Sequence, residues 1–150
     1  MVLWSAVGTG APNVPEIPVT PARAKIWIVD DEPLLARSIG RMLSRHHDVS
    51  FFLSAREALE KLKAGERFDF ILCDLMMPEM TGMDLYDAVS ALAPEQARAM
   101  LFLTGGAFTP RARTFLDRVT NATLEKPFDA ASLEAHVGAV VRASQPPSPS

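Results

Sequence analysis

The sequence predicts an α/β fold in which a parallel sheet carries helices on both faces. Short apolar runs alternate with amphipathic helical patterns along the chain, as repeated βα units require. The first, third and fourth runs are almost continuously apolar, which is typical of parallel strands buried on both faces. The predicted strands are Lys25–Val29, Val49–Leu53, Phe68–Cys73, Met100–Leu103 and Ala122–Leu124.

Five helices are predicted between and after these strands. Ser54 and Glu57 form a capping box before the second helix. Thr109 with Pro110 begins the fourth, and Asp129 is the expected N-cap of the fifth. Apolar residues at helical spacing form the stripes Leu35, Ile39, Met42, Leu43; Ala55, Ala58, Leu59, Leu62; Leu85, Ala88, Val89, Leu92; Ala112, Phe115, Leu116, Val119; and Leu133, Val137, Val140, Val141.

Length and composition indicate one globular domain. The 150 residues are 48% apolar and 22% charged, with a net charge of -3 and one cysteine, Cys73. Gly and Pro predict a tail or linker over residues 1–22, the domain covers 23–143, and a second tail covers 144–150. We expect a cytoplasmic protein without nucleic-acid or membrane contact, since basic residues are scattered and no long apolar run occurs.

Polar residues follow four of the five predicted strands. Ligands of such sheets bind at the carboxyl ends of the strands, so these residues are expected at one edge. They are Asp30-Asp31-Glu32 after the first strand, Asp74 after the third, Thr104-Gly105-Gly106 after the fourth and Lys126-Pro127 after the fifth.

This set of side chains suits phosphoryl transfer. Three carboxylates, those of Asp30, Asp31 and Asp74, would repel one another, and Mg²⁺ would relieve the repulsion. Asp carboxylates act as nucleophiles that form aspartyl-phosphate, which predicts this role for Asp74. Lys126 supplies a positive charge and Thr104 a hydroxyl donor for the phosphoryl oxygens.

Each residue taken alone also has an ordinary structural interpretation. Asp31 would cap the first helix, Thr104 would belong to a turn before two glycines, and Lys126 would be a solvated surface charge. Their joint arrival at one sheet edge favours the functional interpretation.

Four segments together resemble the receiver domains of response regulators. The resemblance extends from about Ala24 to Ala143 and implies a flavodoxin-like, doubly wound (βα)5 fold with strand order 2-1-3-4-5. The segments are Val29–Pro33 (VDDEP), Asp74–Gly82 (DLMMPEMTG), Leu103–Gly105 (LTG) and Glu125–Phe128 (EKPF).

The resemblance assigns roles at the acidic positions. Asp74 is implied to be the phosphoacceptor. Asp30 and Asp31 are implied to hold Mg²⁺, with Asp74 and the backbone carbonyl of Met76 as further ligands. A histidine kinase or a histidine phosphotransfer protein is the implied donor.

It also assigns roles at the neighbouring strand ends. The Thr104 hydroxyl is implied to move toward the phosphoryl group, and Lys126 to form an ion pair with it before a cis peptide bond to Pro127. The stretch from Phe102 to Pro110 is similar to receivers attached to hybrid sensor kinases. The implied output surface is the fourth helix, the fifth strand and the fifth helix.

Two positions refine this expectation. Many receivers have an aromatic residue three positions before the lysine, where this chain has Thr123. We therefore expect phosphorylation to perturb the loop from Thr104 to Thr109 and the fourth helix. Met76, two residues after Asp74, is either a loop residue that fills a gap or a side chain that limits access of hydrolytic water.

Other functions fit the residues less well. A haloacid-dehalogenase-like phosphatase needs an Asp where Met76 stands, so a turnover enzyme is not expected. A flavodoxin-like electron carrier needs a Ser/Thr-rich phosphate loop where this chain has Asp30-Asp31-Glu32. A degenerate receiver usually lacks part of the acidic set or the lysine, and a DNA-binding regulator needs an output domain. We expect signalling through protein–protein contact.

Overall fold

The computed structural model describes residues 23–106 and 108–144, with side chains up to residue 139. The two predicted tails lie outside the described residues, apart from Ser144. The strands are β1 Lys25–Val29, β2 Asp48–Phe52, β3 Phe70–Asp74, β4 Met100–Thr104 and β5 Thr123–Glu125. The helices are α1 Pro33–Leu43, α2 Ala55–Lys63, α3 Gly82–Leu92, α4 Pro94–Ala97, α5 Pro110–Arg118 and α6 Ala130–Ser144.

All five strands pair in parallel in the order β2-β1-β3-β4-β5, which confirms the expected fold. Strands β3 and β4 are buried at every position, as their continuous apolar character predicts. One core lies on each face of the sheet. The first is centred on Trp27, Ile71, Phe102 and Phe115, and the second on Ile28, Ile39, Leu72 and Leu133.

Four of the five predicted strands were wrong by one or two residues at one or both ends, and two of these ends have a clear cause. The third strand begins at Phe70, because the N–H and C=O groups of Phe68 pair with the side chain of Gln96, each at 2.9 Å. The second strand ends at Phe52 because the Leu53 N–H donates to Glu57 Oε1 at 3.3 Å. Side chains thus take over the backbone groups that would have extended these two strands.

The structure has a short helix, α4, that the sequence pattern did not predict. Its four residues are too few to produce an apolar stripe, although Pro94 occupies the favoured first position. Buried Gln96 joins this helix to the start of β3, and Asn121 Nδ2 donates to the carbonyls of Ala97 and Met100 at 2.9 and 2.8 Å. The predicted fourth and fifth helices are therefore α5 and α6.

The predicted helix starts are confirmed at α2, α5 and α6, but the reciprocal half of the capping box predicted at α2 was wrong, because Glu57 Oε1 accepts from the Leu53 N–H and not from that of Ser54. Ser54, Thr109 and Asp129 each accept a hydrogen bond from the backbone N–H three residues later. No described helix has the length and apolar character required to cross a bilayer.

Candidate functional site

Three carboxylates converge at the carboxyl edge of the sheet. Asp30 follows β1 and is fully buried, Asp74 ends β3 and is 7% exposed, and Asp31 is exposed. One oxygen from each lies within 4.8 Å of the others. Because parallel β1 and β3 are adjacent, their ends bring these side chains together, as the sequence predicted.

Backbone hydrogen bonds fix Asp30 in place. Its N–H donates to the carbonyl of Phe52 at 3.1 Å, which joins it to β2. Its Oδ1 accepts from the N–H of Glu32 at 2.9 Å, which turns the chain into α1. The other carboxylate oxygen, Oδ2, accepts from Lys126.

The backbone of Asp74 is held between β4 and the start of α3. The N–H of Leu75 donates to Leu103 at 2.9 Å, and the N–H of Gly82 donates to the Leu75 carbonyl at 3.0 Å. A Cβ at Gly82 would overlap the carbonyl oxygen of Asp74 and lie 3.0 Å from Leu75 Cα, so only glycine fits. The Asp74 side chain accepts a long hydrogen bond, 3.4 Å, from the N–H of Met76.

Lys126 lies among the acidic groups. Its Nζ is 3.1 Å from Asp30 Oδ2 and 3.5 Å from both Asp74 Oδ2 and Glu32 Oε1. Its backbone N–H donates to the Thr104 carbonyl at 2.7 Å, which positions it beside β4. The bond from Lys126 to Pro127 is cis, as expected.

The site concentrates negative charge that it only partly neutralises. Burial raises the pKa of Asp74 to about 6, the charge of Asp30 adds to this rise, and Lys126 opposes it. Burial tends to lower the pKa of Lys126, but its hydrogen bond to Asp30 and the charges of Asp74 and Glu32 outweigh this and raise it. One ammonium thus faces three carboxylates, and Asp31 adds a fourth nearby.

These carboxylates fit a divalent cation. Hard cations such as Mg²⁺ prefer carboxylate oxygens, and the excess negative charge would favour one. Asp30, Asp31 and Asp74 would supply the side-chain ligands.

The remaining predicted site residues lie nearby with weaker connections. Thr104 ends β4 and is 4% exposed; among the described residues, its hydroxyl has no hydrogen-bond partner. Gly105 is exposed, whereas Gly106 has a φ of 88° and a Cβ there would overlap Glu125. Met76 is 43% exposed beside Asp74.

Sequence reasoning missed Glu32 as a contact of Lys126. Its position directly after Asp30 and Asp31 was a signal, but the contact depends on a side-chain conformation that spacing does not specify. The capping box of α3 was also missed: Thr81 accepts from the Asp84 N–H, and Asp84 accepts from the Thr81 N–H. The pattern Thr-x-x-Asp before α3 was its available signal.

The chain matches the family described as the response regulator receiver domain over residues 26–138. The chain belongs to this family.

Similar proteins include full-length regulators. The chain is 31% identical over 112 residues to the transcriptional regulatory protein BtsR of Escherichia coli, covering 73% of this chain and 45% of BtsR. It is 33% identical over 129 residues to the response regulator protein PilR of Pseudomonas aeruginosa, covering 83% of this chain and 28% of PilR. The chain therefore spans less than half the length of both relatives.

Solved structures agree on the fold. The Vibrio cholerae chemotaxis protein CheY4 matches with a TM-score of 0.69 and 30% identity over 79% of this chain and 99% of CheY4. The receiver domain of a signal transduction histidine kinase from Syntrophus aciditrophicus matches with a TM-score of 0.73 and 24% identity, covering 83% of this chain and 95% of that one. The second likeness concerns the fold alone.

Proposed function

We propose that this receiver accepts a phosphoryl group on Asp74 from a histidine kinase or a histidine phosphotransfer protein. The observation that carries the proposal is the position of the Asp74 carboxylate at the sheet edge, 3.5 Å from Lys126 within the acidic cluster. An Asp74 oxygen attacks phosphorus, the phosphorus–nitrogen bond to the donor histidine breaks, and the imidazole nitrogen leaves with the bonding electron pair.

The neighbouring side chains position and stabilise the transferred group. Lys126 is already adjacent to Asp74 and would pair with a phosphoryl oxygen, while the Thr104 hydroxyl would donate to another. Mg²⁺, bound by Asp30, Asp31, Asp74 and the backbone carbonyl of Met76, would neutralise charge between the carboxylates and the phosphoryl oxygens.

We assign no turnover activity to the chain. A phosphatase of the aspartyl-phosphate type needs a second acid or base, and Met76 occupies the position where one would stand. Its exposed side chain would instead shield the acyl phosphate from water. We also place the protein in the cytoplasm, because phosphohistidine donors are made from ATP there.

Output would use α5, β5 and α6. Phe115 of α5 packs edge-on against Phe102 of β4, with ring centroids 5.2 Å apart, and against Tyr86 of α3 at 5.3 Å. Thr123 on β5 is exposed and carries no ring, so this aromatic cluster would supply the connection from β4 to α5. A shift of the loop from Thr104 to Thr109 would reach α5 through it.

The test is the intact mass of the protein after incubation with acetyl phosphate, with and without Mg²⁺. We expect one added phosphoryl group that requires Mg²⁺ and is absent from Asp74→Asn. The matched control is Asp117→Asn, which alters an exposed carboxylate on α5 and should leave the addition unchanged. Addition to Asp74→Asn would refute the assignment.

The same assay tests the two finer points. Met76→Asn should shorten the lifetime of the phosphoprotein severalfold, and an unchanged lifetime would refute shielding by Met76. Loss of excess acetyl phosphate should not exceed what the decay of the phosphoprotein explains; faster consumption would indicate turnover.

A further inference from the structure

Met76 is the most exposed sulfur-containing residue in the described part of the chain. It lies in the loop between β3 and α3, and 43% of its surface is exposed. Met42 and Met80 are partly buried and pack against the two cores. The other described methionines are buried, namely Met77, Met83 and Met100. An oxidant that arrives from solvent therefore reaches the thioether of Met76 before the others.

Cys73, the other side chain with an oxidisable sulfur, is protected. It is fully buried within β3. Burial raises the pKa of its thiol, and the charges of Asp74 and Asp30 raise it further. Peroxides react with the thiolate form of cysteine, so this protonated and buried thiol is inert. Methionine has no proton to lose, and its oxidation depends on exposure alone. Mild oxidation is thus directed to Met76.

The backbone holds Met76 next to Asp74. The Met76 N–H donates to Asp74 Oδ1 at 3.4 Å. The preceding residue, Leu75, is fully buried, and its N–H donates to the Leu103 carbonyl at 2.9 Å. The main chain that carries the Met76 side chain is thus anchored at the sheet edge, while the side chain itself is exposed. A chemical change in this side chain therefore changes the surroundings of Asp74.

We infer that Met76 is a site of reversible oxidation by hydroperoxides, and that its oxidation shortens the lifetime of the phosphoryl group on Asp74. The inference rests on the proposed function, in which the apolar Met76 side chain keeps water away from the acyl phosphate. Oxidation converts the thioether into a polar sulfoxide, whose oxygen accepts hydrogen bonds from water. The oxidised side chain would therefore hold water at the position from which the thioether excludes it.

The oxidation is a two-electron step. A lone pair of the Met76 sulfur forms a bond to the terminal oxygen of the hydroperoxide, and the oxygen–oxygen bond breaks. The terminal proton passes to the departing oxygen, which leaves as an alcohol, or as water when the oxidant is hydrogen peroxide. A dithiol-dependent sulfoxide reductase reverses the change: two thiols become a disulfide, and the sulfoxide oxygen leaves as water.

The first measurement locates the oxidation and does not require phosphorylation. The full chain is treated with a limiting amount of hydrogen peroxide, and oxidation at each methionine is followed by peptide mass mapping. We expect Met76 to be oxidised severalfold faster than Met42 and Met80, since both are partly buried. The melting temperature should be unchanged, because an exposed side chain is altered and the core is not.

The second measurement compares lifetimes. Treated and untreated samples are phosphorylated with acetyl phosphate and Mg²⁺, and the decay of the added mass is followed. Oxidation should shorten the lifetime severalfold, and treatment with a methionine sulfoxide reductase and dithiothreitol should restore it. Met76→Leu should show the same lifetime with and without peroxide. The matched control, Met80→Leu, removes a less exposed methionine of the same loop and should keep the full response to peroxide.

Three results would overturn the inference. They are oxidation at Met42 or Met80 as fast as at Met76, equal lifetimes of the oxidised and untreated proteins, and a peroxide response that persists in Met76→Leu. Failure of the proposed function gives a different result. No phosphoryl addition to the untreated protein, with a mass map that still places oxidation at Met76, would refute both phosphorylation and the lifetime effect and leave the oxidation site established.

Discussion

The carboxyl edge of the sheet and the outer surface between α3 and α5 arrange charge in opposite ways. At the sheet edge, one ammonium group, that of Lys126, lies near three carboxylates. Two of them, Asp30 and Asp74, are buried, and the third is Glu32. Between α3 and α5, each acid has its own base: Arg111 lies 2.6 Å from Asp84, and Arg118 lies 3.5 Å from Asp87.

This difference in charge arrangement shows that the sheet edge is the less stable of the two regions and the one arranged for chemistry. Exposed one-to-one pairs cost little to form and contribute little. Buried like charges are unfavourable, and they cluster at functional sites, where a ligand with the opposite charge can relieve them. The acidic edge is therefore the region expected to respond to mutation and metal, and the surface between α3 and α5 the region expected to be tolerant.

Removing Lys126 should have the largest effect on stability. Lys126→Ala leaves Asp30, which is fully buried, without its cation, and loss of one partner of a buried pair typically costs about 3 kcal/mol. Urea unfolding in metal-free buffer measures this loss. Arg118→Ala, which breaks an exposed pair on α5, is the control and should change stability far less. Equal effects of the two variants would contradict the comparison.

Removing a carboxylate from the same cluster should act in the opposite direction. Asp74→Asn eliminates one of the buried like charges, while Lys126 keeps Asp30 and Glu32. We expect the free energy of unfolding at pH 7.5 without metal to rise by about 1–2 kcal/mol. A destabilised Asp74→Asn variant would show that the contact of Asp74 with Lys126 outweighs the repulsion by Asp30.

Mg²⁺ should stabilise the wild-type protein by relieving the same repulsion. At ten times its dissociation constant, a ligand specific for the folded state adds about 1.4 kcal/mol. Differential scanning fluorimetry measures this as a rise in melting temperature. Asp31→Asn, which alters the exposed carboxylate of the cluster, should remove most of the rise. An undiminished response would place the ion elsewhere.

The smallest effect is expected at the pair between Asp84 and Arg111. The hydrogen bond from Arg111 to the Asp84 carboxylate lowers the pKa of Asp84, and the hydrogen bond from the Thr81 N–H lowers it further. A lowered pKa gives stability that is present above the pKa of the unfolded chain and is lost as pH falls through the folded value. In a double-mutant cycle of Asp84→Asn and Arg111→Gln, coupling at pH 7 should change the unfolding constant only a few-fold. It should vanish near pH 2; coupling that persists there would contradict an ionic origin.

The sequence predicted much of the fold because parallel strands buried on both faces appear in it as almost continuous runs of apolar residues. Phe70–Asp74 and Met100–Thr104 are examples. The errors occur where a side chain replaces a backbone partner, as Gln96 does for Phe68. No periodic pattern reports such a long-range contact.

At the site, topology was predictable and side-chain conformation was not. Strand order places the ends of adjacent β1 and β3 side by side, so Asp30 and Asp74 had to be close. It brings the end of β5 only to the same edge, from which the long side chain of Lys126 reaches both carboxylates. That Glu32 also reaches Lys126, and that the Thr104 hydroxyl lacks a partner among the described residues, depends on torsion angles. Those angles are set by packing around the whole site.

The close fit of Gly82 has a mechanical consequence for any signal that begins at Asp74. The main chain of Asp74 is confined on the α3 side, because its carbonyl oxygen already leaves no room for a methyl group at Gly82. When a charge is added to the Asp74 side chain, the backbone therefore cannot move toward Gly82 to accommodate it. We expect the displacement to reach β4 instead, because the Leu75 N–H is bonded to the Leu103 carbonyl and β4 leads into Gly105 and Gly106. The close contact at Gly82 thus limits the directions in which the backbone of Asp74 can move.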